Sequence, residues 1–127
     1  MKVNFKLAIT LLAGVALGGA VIQSIHAQAK PPTYVVVAIR KINDAAAYKT
    51  SVVDKAPAAM ANSGAKFVVR TDKITALDGN PPERFVVIAF ESPEKAMAWH
   101  NSAAQKEVDA GRMKTSDSLS FMVDGLQ

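Results

Sequence analysis

The stretch that decides the fold is Arg84–His100, RFVVIAFESPEKAMAWH, an apolar run followed by a sharp helix start and a Trp-His pair. Read as a strand, it sets Val86, Ile88 and Phe90 on one face and Phe85, Val87 and Ala89 on the other. Both faces are apolar, so both need cover. Ser92 can accept hydrogen bonds from the first turn of the helix that follows. Pro93 takes the first helical position, where a missing N–H costs nothing. Ala96 and Trp99 then mark the buried stripe of that helix.

Working outward, Tyr34–Ile42 (YVVVAIRKI) is a second strand apolar on both faces. After it, Asn43 and Asp44 offer a cap. Ala45, Tyr48, Val52 and Ala56 recur at helical spacing, which predicts one helix with a single buried stripe. Pro57 breaks that helix and opens a second short one through Ala61, ended by Ser63-Gly64. Lys66–Thr71 (KFVVRT) is expected as an edge strand, with Phe67 and Val69 on one face, Lys66 and Arg70 on the other, and Asp72–Ala76 as an extension. Asp78-Gly79-Asn80-Pro81-Pro82 is a strong turn signal. Beyond His100, a helix is predicted from Ala103 to Met113, with Gly111 weakening its end. Ser118–Val123 then alternates Leu119, Phe121 and Val123 against Ser118, Ser120 and Met122, the pattern of a half-buried strand.

The order β-α-β-β-α-β predicts an α+β fold of the ferredoxin-like kind. Its four-stranded antiparallel sheet has order 4-1-3-2 and helices on one face. The first and third strands are central in that order, and they are the two that are apolar on both faces. Helices cover only one side, so the other side of the central strands calls for a second copy, giving a homodimer in which two sheets close into a barrel.

The first 29 residues read as a signal peptide. Lys2 and Lys6 form a basic start, Leu7 to Ile22 is apolar, and Ala27-Gln28-Ala29 has the small residues of a cleavage site. Cleavage after Ala29, or alternatively Ala27, leaves residues 30–127 as the domain, with a periplasmic or secreted location and only transient membrane contact through the leader. An uncleaved anchor helix is the competing reading, since a span needs about 20 apolar residues. Of 15 basic and 11 acidic residues, two lysines leave with the leader. The remaining net charge of +2 is too small and too scattered for a nucleic-acid surface. The chain has no Cys, so neither disulfides nor thiol chemistry arise.

Ala47-Tyr48-Lys49, Ala56-Pro57-Ala58-Ala59 with Gly64 and Lys66-Phe67-Val68, Leu77-Asp78-Gly79, Arg84–Phe90, Ser92-Pro93-Glu94, Ala98-Trp99-His100-Asn101-Ser102 and Arg112 form an ordered set. It closely resembles the family called domain of unknown function 1330. The resemblance spans nearly all of the chain after the leader and implies a dimeric α/β barrel. It assigns no chemistry: structural relatives of that family include monooxygenases, haem-degrading proteins and small isomerases. This chain departs from the family in carrying His100 where Tyr is commoner, and in having a leader.

His100 is the single histidine outside the leader. One His with no Cys is not a zinc site of the usual kind; a haem axial ligand needs only one His, but a histidine placed against the helix dipole is the simpler reading, so no metal and no cofactor are expected. His100 is the candidate catalytic acid/base, weighed against a histidine that merely complements the C-terminal end of a helix. A Ser-His-Asp triad through Ser102 or Ser118 and Asp117 lacks a nucleophile elbow. Arg70, Arg84 and Arg112 can clamp a carboxylate bidentately, against the reading of ordinary surface charge, and Arg70 and Arg84 fall on neighbouring strands. Tyr48 and Trp99 are candidate ligand contacts or core residues. Candidate ligand-binding residues are therefore Tyr48, Arg70, Trp99 and Arg112. Three functions compete: a homodimeric module binding a small molecule, an anion included; a cofactor-independent oxygenase or isomerase; and an accessory protein without a pocket.

Overall fold

The computed structural model describes residues 30–127; the leader and its cleavage site, residues 1–29, lie outside the described residues. The elements are β1 (Thr33–Ile42), α1 (Ala45–Tyr48) running into a π-helical turn (Lys49–Val53), α2 (Ala56–Met60), β2 (Lys66–Thr71), β3 (Arg84–Phe90), α3 (Pro93–His100), α4 (Ala103–Thr115) and β4 (Ser116–Asp124). The sheet has order β2-β3-β1-β4, all antiparallel, which is the expected order read from the other edge. Among the described residues, no helix is long and apolar enough to cross a membrane.

Register assigns the two faces. β1 pairs β3 through Val35–Ile88, Val37–Val86 and Ile39–Arg84, and these residues face the helices. Val35, Ile88 and Phe90 pack with Ala96 and Trp99 of α3. Ile39 packs with Tyr48, Val52, Ala59 and Val108. The Phe90 and Trp99 rings lie 5.2 Å apart and tilted, an arrangement that adds about 0.5–1.5 kcal/mol to simple burial. Tyr34, Val36, Ala38, Phe85, Val87 and Ala89 fall on the opposite face.

The helix starts behave as read. Asp44 Oδ1 accepts from the Ala47 N–H at 3.0 Å and Ser92 Oγ accepts from the Lys95 N–H at 3.2 Å. α4 is capped the same way, Ser102 Oγ accepting from the Gln105 N–H at 3.2 Å, and it runs two residues past Met113.

Four expectations are corrected. First, β2 does not alternate strictly. Its register against β3 slips between Phe67 and Val69, so Phe67 pairs with Ile88 while Arg70 pairs with Val86. The bulge inserts one residue and reverses the facing of those after it. Phe67 and Arg70 thereby share the helix side, and Lys66 and Val69 share the open side. Second, β2 ends at Thr71, so Asp72–Ala76 is not strand. Third, the apolar set of β4 is not buried by its own chain: Leu119, Phe121 and Val123 pair with Ala38, Val36 and Tyr34 on the open face and remain 37%, 45% and 42% exposed.

Fourth, the first helix is not one α-helix. Thr50 Oγ1 donates to Ala46 O and Ala47 O, and Ser51 Oγ donates to Ala47 O at 2.6 Å. Hydroxyls that bond back to the preceding turn compete for its carbonyls and bend helices. Here the turn widens, and the Asp54 N–H reaches Lys49 O at 2.9 Å.

The widened turn packs against α4 at Gly111. A Cβ built there would lie 2.7 Å from Ser51 Cβ and 2.8 Å from Ser51 O. Gly111 therefore sets the distance between α4 and the π-turn. Gly111→Ala should lower the unfolding midpoint in urea, although alanine is better than glycine in a helix interior by about 1 kcal/mol. Overpacking at a backbone contact costs about 1–3 kcal/mol and outweighs that gain. An unchanged or raised midpoint would show that the two helices separate freely.

Candidate functional site

The helix layer does not seal onto the sheet. Between them lies a cavity of about 200 Å³ whose floor is Val37, Ile39, Val86 and Ile88, with Val52 and Val108 as roof. Tyr48, Arg70, Trp99, His100 and Arg112, the five candidates read from the sequence, all line it. So do Arg84, Gln105, Asp109 and Ser120. The strand register grades the floor from end to end. Arg84 and Ser118 flank Ile39 in one row, and Ile88 and Met122 flank Val35 two rows on. The first end is cationic and the second apolar, with Phe67 paired to Ile88 and Trp99 packed beside it.

Arg112 is buried, at 7% exposure. Its Nη1 donates to Ser118 Oγ at 2.7 Å and its Nη2 to Asp109 Oδ1 at 3.3 Å. Gln105 Nε2 donates to the same Asp109 oxygen at 2.9 Å. The second oxygen, Oδ2, lies 3.5 Å from His100 Nδ1. That separation is an ion-pair contact rather than a hydrogen bond, and the negative carboxylate favours a proton on the Nδ1 side of the ring. Arg70 lies over the Phe67 ring at 4.6 Å. Neither Arg70 nor Arg84 has a carboxylate partner among the described residues.

Tyr48 is 5% exposed, and its hydroxyl makes no hydrogen bond to another described residue. Burial pushes its pKa up, while the guanidinium charges of Arg84 and Arg112 pull the other way. The hydroxyl thus stays protonated between two cations, able to donate to an anion.

The triad reading fails on geometry: Asp117 is at the surface, bonded to Arg40 at 2.8 Å. The carboxylate beside His100 is Asp109, which the sequence reading did not single out. Its signal was there as periodicity, since Gln105, Asp109 and Arg112 fall on one face of α4. Trp99 is a core residue as well as a wall of the cavity, and its indole N–H is buried with no partner. Among the described residues, no three of His, Cys, Asp and Glu gather closely enough to hold a metal ion.

Two outcomes follow from this geometry. Asp109→Asn leaves the buried Arg112 charge uncompensated and should cost about 3 kcal/mol in denaturant unfolding. A loss under about 0.5 kcal/mol would mean the pair is solvated in solution. For Tyr48, a raised folded pKa means its contribution to stability is complete below the unfolded value of about 10 and is lost as pH rises through the folded value. Spectrophotometric titration at about 295 nm should therefore show a tyrosine ionising later than in the urea-unfolded chain.

No curated protein matches the chain. Solved structures do, at identities that speak for the fold alone. One is a protein of unknown function from Rhodopseudomonas palustris, 13% identical with a TM-score of 0.59, over 85% of this chain and 93% of that one. Another is a candidate antibiotic biosynthesis monooxygenase from Caulobacter crescentus, 16% identical with a TM-score of 0.56, over 78% of this chain and 93% of that one. A third, with the same description and from Nitrosomonas europaea, is 16% identical with a TM-score of 0.51, over 76% and 99%. The protomer fold is thus that of the dimeric α/β barrel proteins. Residues 32–126 match the family described as "Domain of unknown function (DUF1330)", and the chain belongs to that family.

Proposed function

We propose that the protein is an exported homodimer that binds a small anionic molecule in the cavity between its helices and its sheet. The observation that carries this reading is the pair Arg70 and Arg84, two guanidinium groups on the wall of an apolar cavity with no carboxylate partner among the described residues. Arg84 is half-buried at the edge of the apolar space, where the lower local dielectric strengthens pairing with an anion, while the exposed Arg70 adds a screened attraction. The protonated Tyr48 hydroxyl adds a neutral donor. A dry cavity of about 150 Å³ accommodates benzene, so about 200 Å³ suits a single ring or a short chain with its acid group.

The dimer rests on the open face of the sheet. Leu119, Phe121 and Val123 form an exposed apolar row beside Val36, Phe85 and Val87, and isologous pairing of two such faces would cover it. Export rests on the leader sequence alone. A second reading has its own observation, the Asp109 carboxylate behind His100 Nδ1, which orients an imidazole for acid/base work in a cofactor-independent oxygenase or isomerase. A cavity carrying these side chains counts against an accessory protein without a pocket.

Calorimetric titration of the purified protein with benzoate and with short aliphatic carboxylates tests the binding reading. Arg84→Met should weaken whichever acid binds by about tenfold or more, a loss near 1.4 kcal/mol. Carboxylates that bind no better than their neutral amides would sink it. For the dimer, Phe121→Asp should halve the mass measured by light scattering, and a wild-type protein already at protomer mass would refute the pairing.

A further inference from the structure

A cavity meant only to attract anions has no use for a carboxylate, yet Asp109 lines this one. Its charge is turned inward. Oδ1 accepts from Gln105 at 2.9 Å and from Arg112 at 3.3 Å, which leaves Oδ2 toward His100 Nδ1 at 3.5 Å. Gln105 and Arg112 are both buried, and Arg112 is anchored in turn on Ser118. The carboxylate is thus held by two buried donors and presents its remaining lone pairs to the histidine.

The consequence is a difference between the two walls. Arg70 and Arg84 on the sheet side offer donors only. His100, at the last residue of α3, turns Nδ1 toward the Asp109 carboxylate, whose charge favours the tautomer protonated there, and in that tautomer Nε2 accepts. A ligand that satisfies both walls carries an anionic group for the arginines and a hydrogen-bond donor for the imidazole. The floor between them is Val37, Val86 and Ile88, which requires an apolar body.

We infer that the ligand is a small hydroxy acid, with a compact apolar body, a carboxylate taken by Arg84 and Arg70, and a hydroxyl donated to His100 Nε2. This rests on the anion-binding reading and adds to it the second polar group. Asp109 is then a positioning residue that sets the tautomer of His100. A site that hydrogen-bonds a hydroxyl deep in a protein can reject the analogue lacking it by about 10⁴-fold. The His100 side chain is 49% exposed, so water competes and about tenfold is the expected scale.

Calorimetric titration of the full-length processed protein at neutral pH, with benzoate, 3- and 4-hydroxybenzoate and their methoxy ethers, decides the matter. At least one hydroxybenzoate should bind about tenfold more tightly than benzoate, and its ether, which cannot donate, should fall back to the benzoate level. In His100→Phe, checked for folding by circular dichroism, the ratio of the two affinities should collapse toward one. Benzoate and both hydroxybenzoates binding within about threefold of one another would overturn the hydroxyl assignment while leaving anion binding intact. Failure of every carboxylate to bind would overturn both. An ether as tight as its phenol would show that His100 donates rather than accepts, and so would also refute the assignment.

Discussion

The buried pairing of Arg112 with Asp109 is the interaction on which the polar half of this protein depends. A guanidinium at 7% exposure must have its charge and donors satisfied inside the protein, or the desolvation cost destabilises the fold. Ser118 satisfies one edge from β4 and Asp109 the other from within α4. The same carboxylate reaches the end of α3 through His100, so one ion pair ties a strand and two helices around the cavity mouth. Once Arg112 is neutralised in this way, the positive charge left on the walls belongs to Arg70 and Arg84. The site's net character toward a ligand therefore follows from which arginine the protein has already paired.

The first helical segment supplies one wall of the cavity, through Tyr48, Val52 and Val53. Back-bonding by Thr50 and Ser51 widens a turn, and the widened turn meets α4 where Gly111 has no side chain. Tyr48 and Val52 stay buried on the inner side of that turn, while Val53 and Ala56 follow them onto the cavity wall. Such π-turns often mark functional sites, which agrees with the place of this one.

The sheet separates the two roles of the fold. On its helix side, Val35, Val37, Ile39, Val86 and Ile88 build the core and the cavity floor. On its open side, Leu119, Phe121 and Val123 make an exposed apolar row beside the half-buried Phe85 and Val87. The proposed pairing of two such surfaces leaves both cavities on the outer flanks, since helices and open face lie on opposite sides. Binding and association would then be set by different residues of the same strands, alternating along the chain.

Sequence alone determined the order of elements, their caps and the central place of β1 and β3, because these depend on local periodicity and on which strands are apolar on both faces. It also named Tyr48, Arg70, Trp99, His100 and Arg112 as candidates for one site, and these line the cavity. It misread β2. Strict alternation turned Arg70 away from Phe67, and only the bulge, a matter of how β2 registers against β3, brings both to the cavity. Asp109 was legible as one member of a helical stripe but not as the partner of both Arg112 and His100, because those contacts join residues of different elements. Local pattern says which face a residue occupies. Whether a charge on that face is satisfied by a neighbour or left for a ligand is decided only when the elements pack.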